Sequence, residues 1–580
     1  MTYQIQVDDH EKGNTPSSSP VTEGQYGPLQ QSEGVVTRGR MTRLLQNFER
    51  QMVAYNLEAR GIRRVQPNER HDLKSHGYTQ IGLLWFSINL AATNITLGML
   101  GPAVFYLSFL DSSLCAVFGM MMGCLPVAYI ATFGPRSGNR SLVFARYTMG
   151  WWPAKLVVIL NIIVLLGYSL IDAVVAGQIL SAVSTNGSLS VVVGIVVVAV
   201  ITWVITTFGY QILHYYERYA WLPQLIVLSI LAGVAGPSFD LISPTQGNAL
   251  TRIGGRLSFF SLCLSAAITY AGGAADYFVY YPEHTPRWKV FAATMIGLTT
   301  SFTFAFILGI GLGTGITSNA QWATAYSISQ GALLVEGYAP LGSFGKFCAV
   351  IVALGLIANL IPPTYSSGMD FQILGRFAAK VPRVLWNTLG VVIYTVCALA
   401  GRDHLAAVFT NFLALMGYWV SIWIAITLEE QFIFRRRRGY DWEVWDNRNK
   451  LPVGAAALVA FLVGWVGAIL SMAQVWYIGP IARQVGDYGA DVSLNRYSLG
   501  TDTDGVADGQ LCWLCLGCAY LSSTTISGME EVWPVMASYL ALEVAGLTQI
   551  RIRYHESGAV VGDEPNSPVM YSVPKALLSI

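Results

Sequence analysis

The chain has 580 residues, of which 53% are hydrophobic and only 12% charged, and its mean hydropathy is +0.48. That balance excludes an ordinary soluble domain and matches a polytopic membrane protein. A net charge of +1 gives no reason to expect a nucleic-acid partner; the positions of the Lys and Arg residues are more informative, because positive charge in short loops orients membrane helices.

In chain order, residues 1–78 are polar and rich in Ser, Gly, Gln and Arg. They carry no secretory signal pattern and read as a disordered cytosolic tail. Apolar segments of about 20 residues or more, long enough to span a bilayer, fall near 81–107, 113–134, 153–183, 189–209, 218–236, 256–281, 288–313, 345–374, 384–401, 407–428, 452–477 and 531–550. The expected fold class is an all-α polytopic membrane protein with about twelve transmembrane helices. Basic residues cluster in alternate loops: Arg136, Arg140 and Arg146; Arg218; Arg287 and Lys289; Arg376, Lys380 and Arg383; Arg435 to Arg438 with Arg448 and Lys450; and Arg551 with Arg553. Together with Arg38, Arg40, Arg43, Arg60, Arg63 and Arg64 in the tail, they place these loops and both termini in the cytosol. The opposite loops are poorer in positive charge, and the glycosylation triplet Asn186-Gly187-Ser188 in one of them agrees weakly with this topology.

The first span carries its own interruption. Asn89, Thr93, Asn94 and Thr96 place amides and hydroxyls near mid-depth, and Gly98, Gly101 and Pro102 follow as expected helix breaks. A broken helix survives in a bilayer only where its freed backbone groups line a protein-buried or water-filled cavity, so this stretch is expected to form half of a solute site. The sixth span is its counterpart, with breaks expected at Gly272 and Gly273 and Asp276 within about one turn of them. Two broken spans five apart suggest two five-helix repeats of opposite topology. The eighth span has a third expected break at Pro362 and Pro363, which remove two N–H donors. The carbonyls so freed have two candidate partners, a bound cation or solute and a nearby Ser or Thr.

On the third span Tyr168 and Asp172 are four residues apart and share a face. A carboxylate at this depth is costly unless paired, protonated or hydrated. Asp172 is thus the main functional candidate, with a structural Asp held by a neighbouring helix as the alternative. Tyr168 and Tyr270 have the chemistry to sandwich a planar ring, and equally that of packing aromatics.

Several stretches together resemble the fungal purine-cytosine permeases of the nucleobase:cation symporter family. They are the first-span pattern of Trp85, Asn89 and GMLGP, FGYQILHYYERYAWLP from Phe208, AADYFVYYP from Ala274, IANLIP from Ile357 and GPIARQVGDYGAD from Gly479. The resemblance runs in order from about Thr79 to Asp491. It implies a LeuT-like 5+5 inverted repeat plus two C-terminal helices, working by alternating access and importing purine bases or cytosine with protons across the plasma membrane. Carried over by position, it implies substrate contacts at Tyr168, Asp172, Tyr270 and Asn359, and less directly at Asn94. There are departures: Tyr168 and Asp172 stand where the family has Trp and Asn, Tyr270 replaces a Trp, and Pro363 replaces a substrate-facing Asn. An ionised Asp172 can only accept hydrogen bonds and Pro363 offers no side-chain bond. Another heterocycle, such as vitamin B6, is therefore an alternative substrate, and a ligand sensor that does not transport is a further alternative. Asp172 is also the expected proton-coupling residue, because a carboxyl group responds to whether its site is dry or hydrated.

The remaining signals have ordinary readings. His214, Glu217 and Arg218 fit an interfacial salt-bridge set. Glu429 and Glu430 suit a solvated membrane surface, and Trp442 and Trp445 an interfacial belt. The 8 Cys lie mostly singly in apolar runs, as small buried hydrophobes do. Residues 492–531, with Cys512, Cys515 and Cys518, are absent from the family pattern; without a nearby His they do not make a metal site, and they read as an atypical insertion or a gene-model artefact. That leaves 532–554 as an uncertain last helix and 555–580 as a cytosolic tail. No phosphate loop, zinc motif or nucleophile elbow appears in a fitting context. No enzyme activity, cofactor or metal is expected, and the expected partners are a small heterocycle, a proton and membrane lipid.

Overall fold

A computed structural model describes residues 61–70, 78–184, 188–208, 221–437, 439–474 and 476–485. Most of the expected N-terminal tail, Asn186 and Gly187 of the glycosylation triplet, His214, Glu217 and Arg218 lie outside the described residues. So do the 492–531 region, the last expected helix and the C-terminal tail.

Among the described residues the chain is helical, with one isolated bridge between Ala473 and Ile478 as the only extended pairing. The principal helices are α1 (Tyr78–Asn89), α2 (Ala92–Ala103), α3 (Phe109–Ala131), α4 (Ser141–Thr148), α5 (Pro153–Val183), α6 (Val191–Phe208), α7 (Trp221–Ala235), α8 (Ala249–Ile268), α9 (Arg287–Gly315), α10 (Gly342–Ile373), α11 (Arg383–Gly401), α12 (Ala414–Glu429) and α13 (Ala455–Ser471). Among the described residues eight helices are long and apolar enough to cross a membrane, and nine if the bent pair α1–α2 counts as one span. Two more, Val191–Thr207 and Ala455–Ser471, are apolar but shorter. The third expected span, 153–183, coincides with α5, which opens on Pro153 where a missing N–H costs nothing.

The first helix does break, but not where the glycines suggested. The chain bends by 59° between α1 and α2, and Ala91 is extended at φ −121°, ψ 150°. Gly98 and Gly101 lie inside α2, so their expected role as breaks is corrected to one of packing. A side chain at Gly98 would meet the Phe306 carbonyl on α9, and one at Gly101 would meet the Phe259 ring and the Ser112 hydroxyl. Small residues of this kind let helix backbones approach closely where lipid gives no hydrophobic drive for association. The break instead rests on side-chain amides. Asn94 Nδ2 donates to the Asn89 carbonyl at 2.7 Å, and Asn89 Nδ2 donates to the Trp85 carbonyl at 3.0 Å.

The third expected break, at Pro362 and Pro363, is likewise corrected, because α10 runs unbroken from Gly342 to Ile373 with both prolines inside it. Each proline still deprives the carbonyl four residues earlier, that of Ala358 or Asn359, of its helical donor. The hydroxyl of Thr364 turns back onto the Leu360 carbonyl at 2.6 Å. At the sixth span the helix leaves α geometry after Ile268. It passes through tighter turns at Thr269–Gly273 and Asp276–Phe278, so the expected break at Gly272 and Gly273 is corrected to a tightened stretch.

The basic loops gather at one end of the bundle. Val65 N donates to the Gly138 carbonyl at 2.9 Å. Arg64, 7% exposed, donates from Nε to the Ser137 carbonyl at 2.7 Å and pairs with Glu443. Arg146 pairs with Asp446 at 3.2 Å and donates to the Ile373 carbonyl at 3.2 Å. Trp442 stacks on Tyr440 at 4.8 Å and lies beside Phe144 and Tyr147, while Trp445 lies over the Arg146 guanidinium. Both tryptophans thus help to build this end. Glu429 corrects the sequence reading too: it is 3% exposed and its two carboxylate oxygens are buried without a hydrogen-bond partner. Glu430, by contrast, holds Arg435 at 2.7 Å.

Candidate functional site

The bend between α1 and α2, the middle of α5, the tightened end of α8 and the proline-bearing part of α10 meet around one carboxyl group. Asp172, 1% exposed, comes from α5. Its Oδ1 accepts from the hydroxyl of Thr93, and its Oδ2 accepts from Asn359 Nδ2 at 2.9 Å. Thr93 is the second residue of α2, so the hydroxyl is presented beside the free N–H groups of a helix start, where negative charge is favoured. Among the described residues no Lys, Arg or His forms an ion pair with Asp172.

One turn earlier on α5, Tyr168 shares a hydrogen bond with the Thr269 hydroxyl at 2.7 Å and donates to the Ala266 carbonyl at 3.1 Å. The phenol therefore holds the very turn at which α8 leaves α geometry. Its ring faces Tyr270, with centroids 6.2 Å apart and planes tilted by 37°. A heterocycle sandwiched between two rings needs about 7 Å between parallel planes, twice a contact of roughly 3.5 Å. In this conformation the two tyrosines touch each other and leave no slot between them. Tyr270 is also fenced edge-on by Trp85 and Phe302, each at 6.0 Å.

Of the residues expected at the site, Asp172 and Asn359 are bonded directly, and Tyr168 and Tyr270 form an aromatic pair beside them. Asn94 has a different task, since its amide caps the break at Asn89. Thr93, Trp85 and Phe302 join the site although sequence reading did not select them. Thr93 had been visible only as one of four polar residues in an apolar helix. A buried acid with two neutral donors and no cation can take up a proton or face a donor-rich group on a solute, either of which removes the cost of an unpaired buried charge.

A bent helix meeting one that tightens out of α geometry, with polar groups from two further helices converging on the junction, fits a membrane transporter with a site at a helix interruption. The family described as permease for cytosine/purines, uracil, thiamine and allantoin matches residues 70–489. The chain belongs to that family of multi-pass membrane transporters. It is 36% identical over 450 residues to the purine-cytosine permease fcyB of Emericella nidulans, covering 77% of this chain and 87% of that one. It is 33% identical over 493 residues to the vitamin B6 transporter TPN1 of Saccharomyces cerevisiae, covering 76% of this chain and 85% of that one. The fold matches that of Mhp1 in its inward-facing conformation, with a TM-score of 0.51 and 15% sequence identity over 70% of this chain and 90% of that one. These relatives are permeases and transporters, not enzymes.

Proposed function

We propose that this protein is a proton-coupled symporter that imports a small planar heterocycle, a purine base or cytosine, across the plasma membrane by alternating access. The reading extends to a core of residues 79–491, a LeuT-like 5+5 repeat within about twelve helices, and cytosolic termini. The observation that carries it is the Asp172 cluster: one buried acid, two neutral donors from different helices, and an aromatic pair beside it. In this reading Asn359 and Asp172 meet the edge of the heterocycle and Tyr168 and Tyr270 meet its face, after the rings have parted. Proton uptake by Asp172 and solute entry are linked because both act on the same carboxylate.

A second substrate is favoured by the side chains themselves. Asp172 accepts but, when ionised, cannot donate, and Pro363 has no side-chain hydrogen bond to give. A pyridine-type ring with several donors, as in vitamin B6, suits that edge better than a 6-oxopurine. The identity to TPN1 supports the same choice.

Uptake of labelled cytosine, adenine, hypoxanthine and pyridoxine, in cells lacking their own carriers, separates these readings. Saturable accumulation that rises as external pH falls, and that a proton uncoupler abolishes, is expected for one of the four. Saturable binding without accumulation would instead identify a sensor.

A further inference from the structure

Eleven residues separate Asn161 from Asp172 on α5, and eleven separate Asn359 from Asp370 on α10. Both helices are continuous over these stretches. Eleven residues are about three turns, so each helix presents its two polar residues on one face, roughly 16 Å apart. The structure bonds them crosswise. Asn359 donates to Asp172, and Asn161 Nδ2 donates to Asp370 Oδ2 at 2.8 Å. The helices are therefore antiparallel and joined by two acid–amide rungs with the roles exchanged: α5 supplies the acid in one and α10 supplies it in the other.

The second rung is as dry as the first, with Asn161 2% and Asp370 5% exposed. Asn161 Oδ1 is buried with no hydrogen-bond partner. It lies against the tightened stretch of the sixth span, where a side chain at Gly272 would collide with it. Among the described residues the charged groups around Asp370 are few. From the tightened stretch comes Asp276, which accepts from Ser141 N at 2.7 Å and pairs with Arg140 at 3.5 Å. Among the described residues Arg140 is the cation that faces both acids. Arg146 reaches the Ile373 carbonyl further along α10, and Arg383 from α11 stacks on Tyr365. Two buried acids facing one guanidinium leave a single negative charge over, which a proton cancels.

We infer that Asp370 is a second proton-binding residue of the transport cycle, placed three turns from Asp172 at the end of the bundle where the basic loops gather. The inference rests on the proton-coupled reading above. When the solute site releases its proton, the O–H bond at Asp172 breaks and one forms at Asp370, with water in the opened path carrying the proton between them. Movement of the Gly272 stretch away from Asn161 then hydrates Asp370, which gives the proton to water on the cytosolic side. The rung thus ties proton release to the tightened stretch of the sixth span, whose position also sets the Tyr168–Thr269 bond.

The test uses Asp370→Asn and Asp370→Glu in the full chain, in proteoliposomes, with whichever of cytosine or pyridoxine the unmodified protein accumulates. Two quantities are read: exchange of labelled for unlabelled solute at equal pH, and accumulation driven by an imposed proton gradient. For Asp370→Asn we expect exchange within about twofold of the unmodified protein but gradient-driven accumulation reduced at least tenfold, with Asp370→Glu recovering part of the accumulation. The inference is overturned by undiminished accumulation in Asp370→Asn. It is equally overturned if exchange and accumulation fall together in both variants, which marks a structural acid. Absence of gradient-driven accumulation in the unmodified protein would remove the proton-coupled reading itself, and that outcome shows before any variant is made.

Discussion

Asp172 is held by Thr93 and Asn359, one hydroxyl and one amide, so its replacement by Asn keeps the size of the side chain while removing the titratable proton. Asp172→Asn is expected to reach the membrane at normal levels and to lose the rise in uptake with falling pH; unchanged proton dependence, measured as initial rate against external pH, would remove Asp172 from coupling. Asn94→Ala tests a different role. Without its amide the Asn89 carbonyl at the break loses a buried hydrogen bond, a cost of about 1–3 kcal/mol. The expected readout is a lower melting temperature in detergent, with proton coupling kept. At this scale Asp172 was legible in the sequence, because a carboxylate inside an apolar helix is expensive wherever it points. Its partner Thr93 was not, since a hydroxyl in such a helix usually satisfies itself on its own backbone, as Thr96 does on the Thr93 carbonyl at 2.8 Å.

Helix interruptions show how an element can be read correctly as broken and wrongly as to where. The sequence of α1 and α2 holds glycines after its polar residues, and glycine suggests a break. Yet the bend lies at Ala91, where the Asn94 amide satisfies the Asn89 carbonyl freed by the break, and the glycines serve packing against neighbouring helices. Gly98→Leu is therefore expected to destabilise by overpacking, by about 1–3 kcal/mol or more, with a loss of folded protein on size-exclusion chromatography. A true hinge at Gly98 would instead leave stability largely intact while changing transport. In the tightened stretch Gly272→Ala sets a methyl group against the Asn161 amide. Its expected effect is reduced transport with little change at Gly273→Ala, where a Cβ meets nothing within 4 Å. Initial uptake rates for the pair decide this.

For the whole molecule, the basic end is an assembly of loops fastened to one another. Residues 64 and 65 reach over to Ser137 and Gly138, Arg64 pairs with Glu443, and Arg146 bridges Asp446 and the end of α10. The sequence assigned these arginines to topology, and several are also buried fasteners. Arg64→Gln removes the pair with Glu443 and weakens the hold on the Ser137 carbonyl. The expected outcome is faster labelling, by a membrane-impermeant thiol reagent applied from that side, of a cysteine placed at Ala275, which is 0% exposed in the fastened form. Labelling at the unmodified rate would show that the strap does not hold this end shut.

Sequence by itself determined that this chain lives in a membrane, approximately where its helices run, and that one acid on the third of them lies inside an apolar helix and needs partners there. Those conclusions follow from local quantities: the length of an apolar run, the cost of a charge within it and the order of short motifs. Tertiary structure decided that Thr93 and Asn359 meet Asp172, that Asn161 and Asp370 repeat the pairing eleven residues away on both helices, and that Glu429 is buried. Each of these depends on which face of one helix lies against which face of another. A stretch read alone gives the depth of a polar residue, but its partner is fixed only when the helices pack.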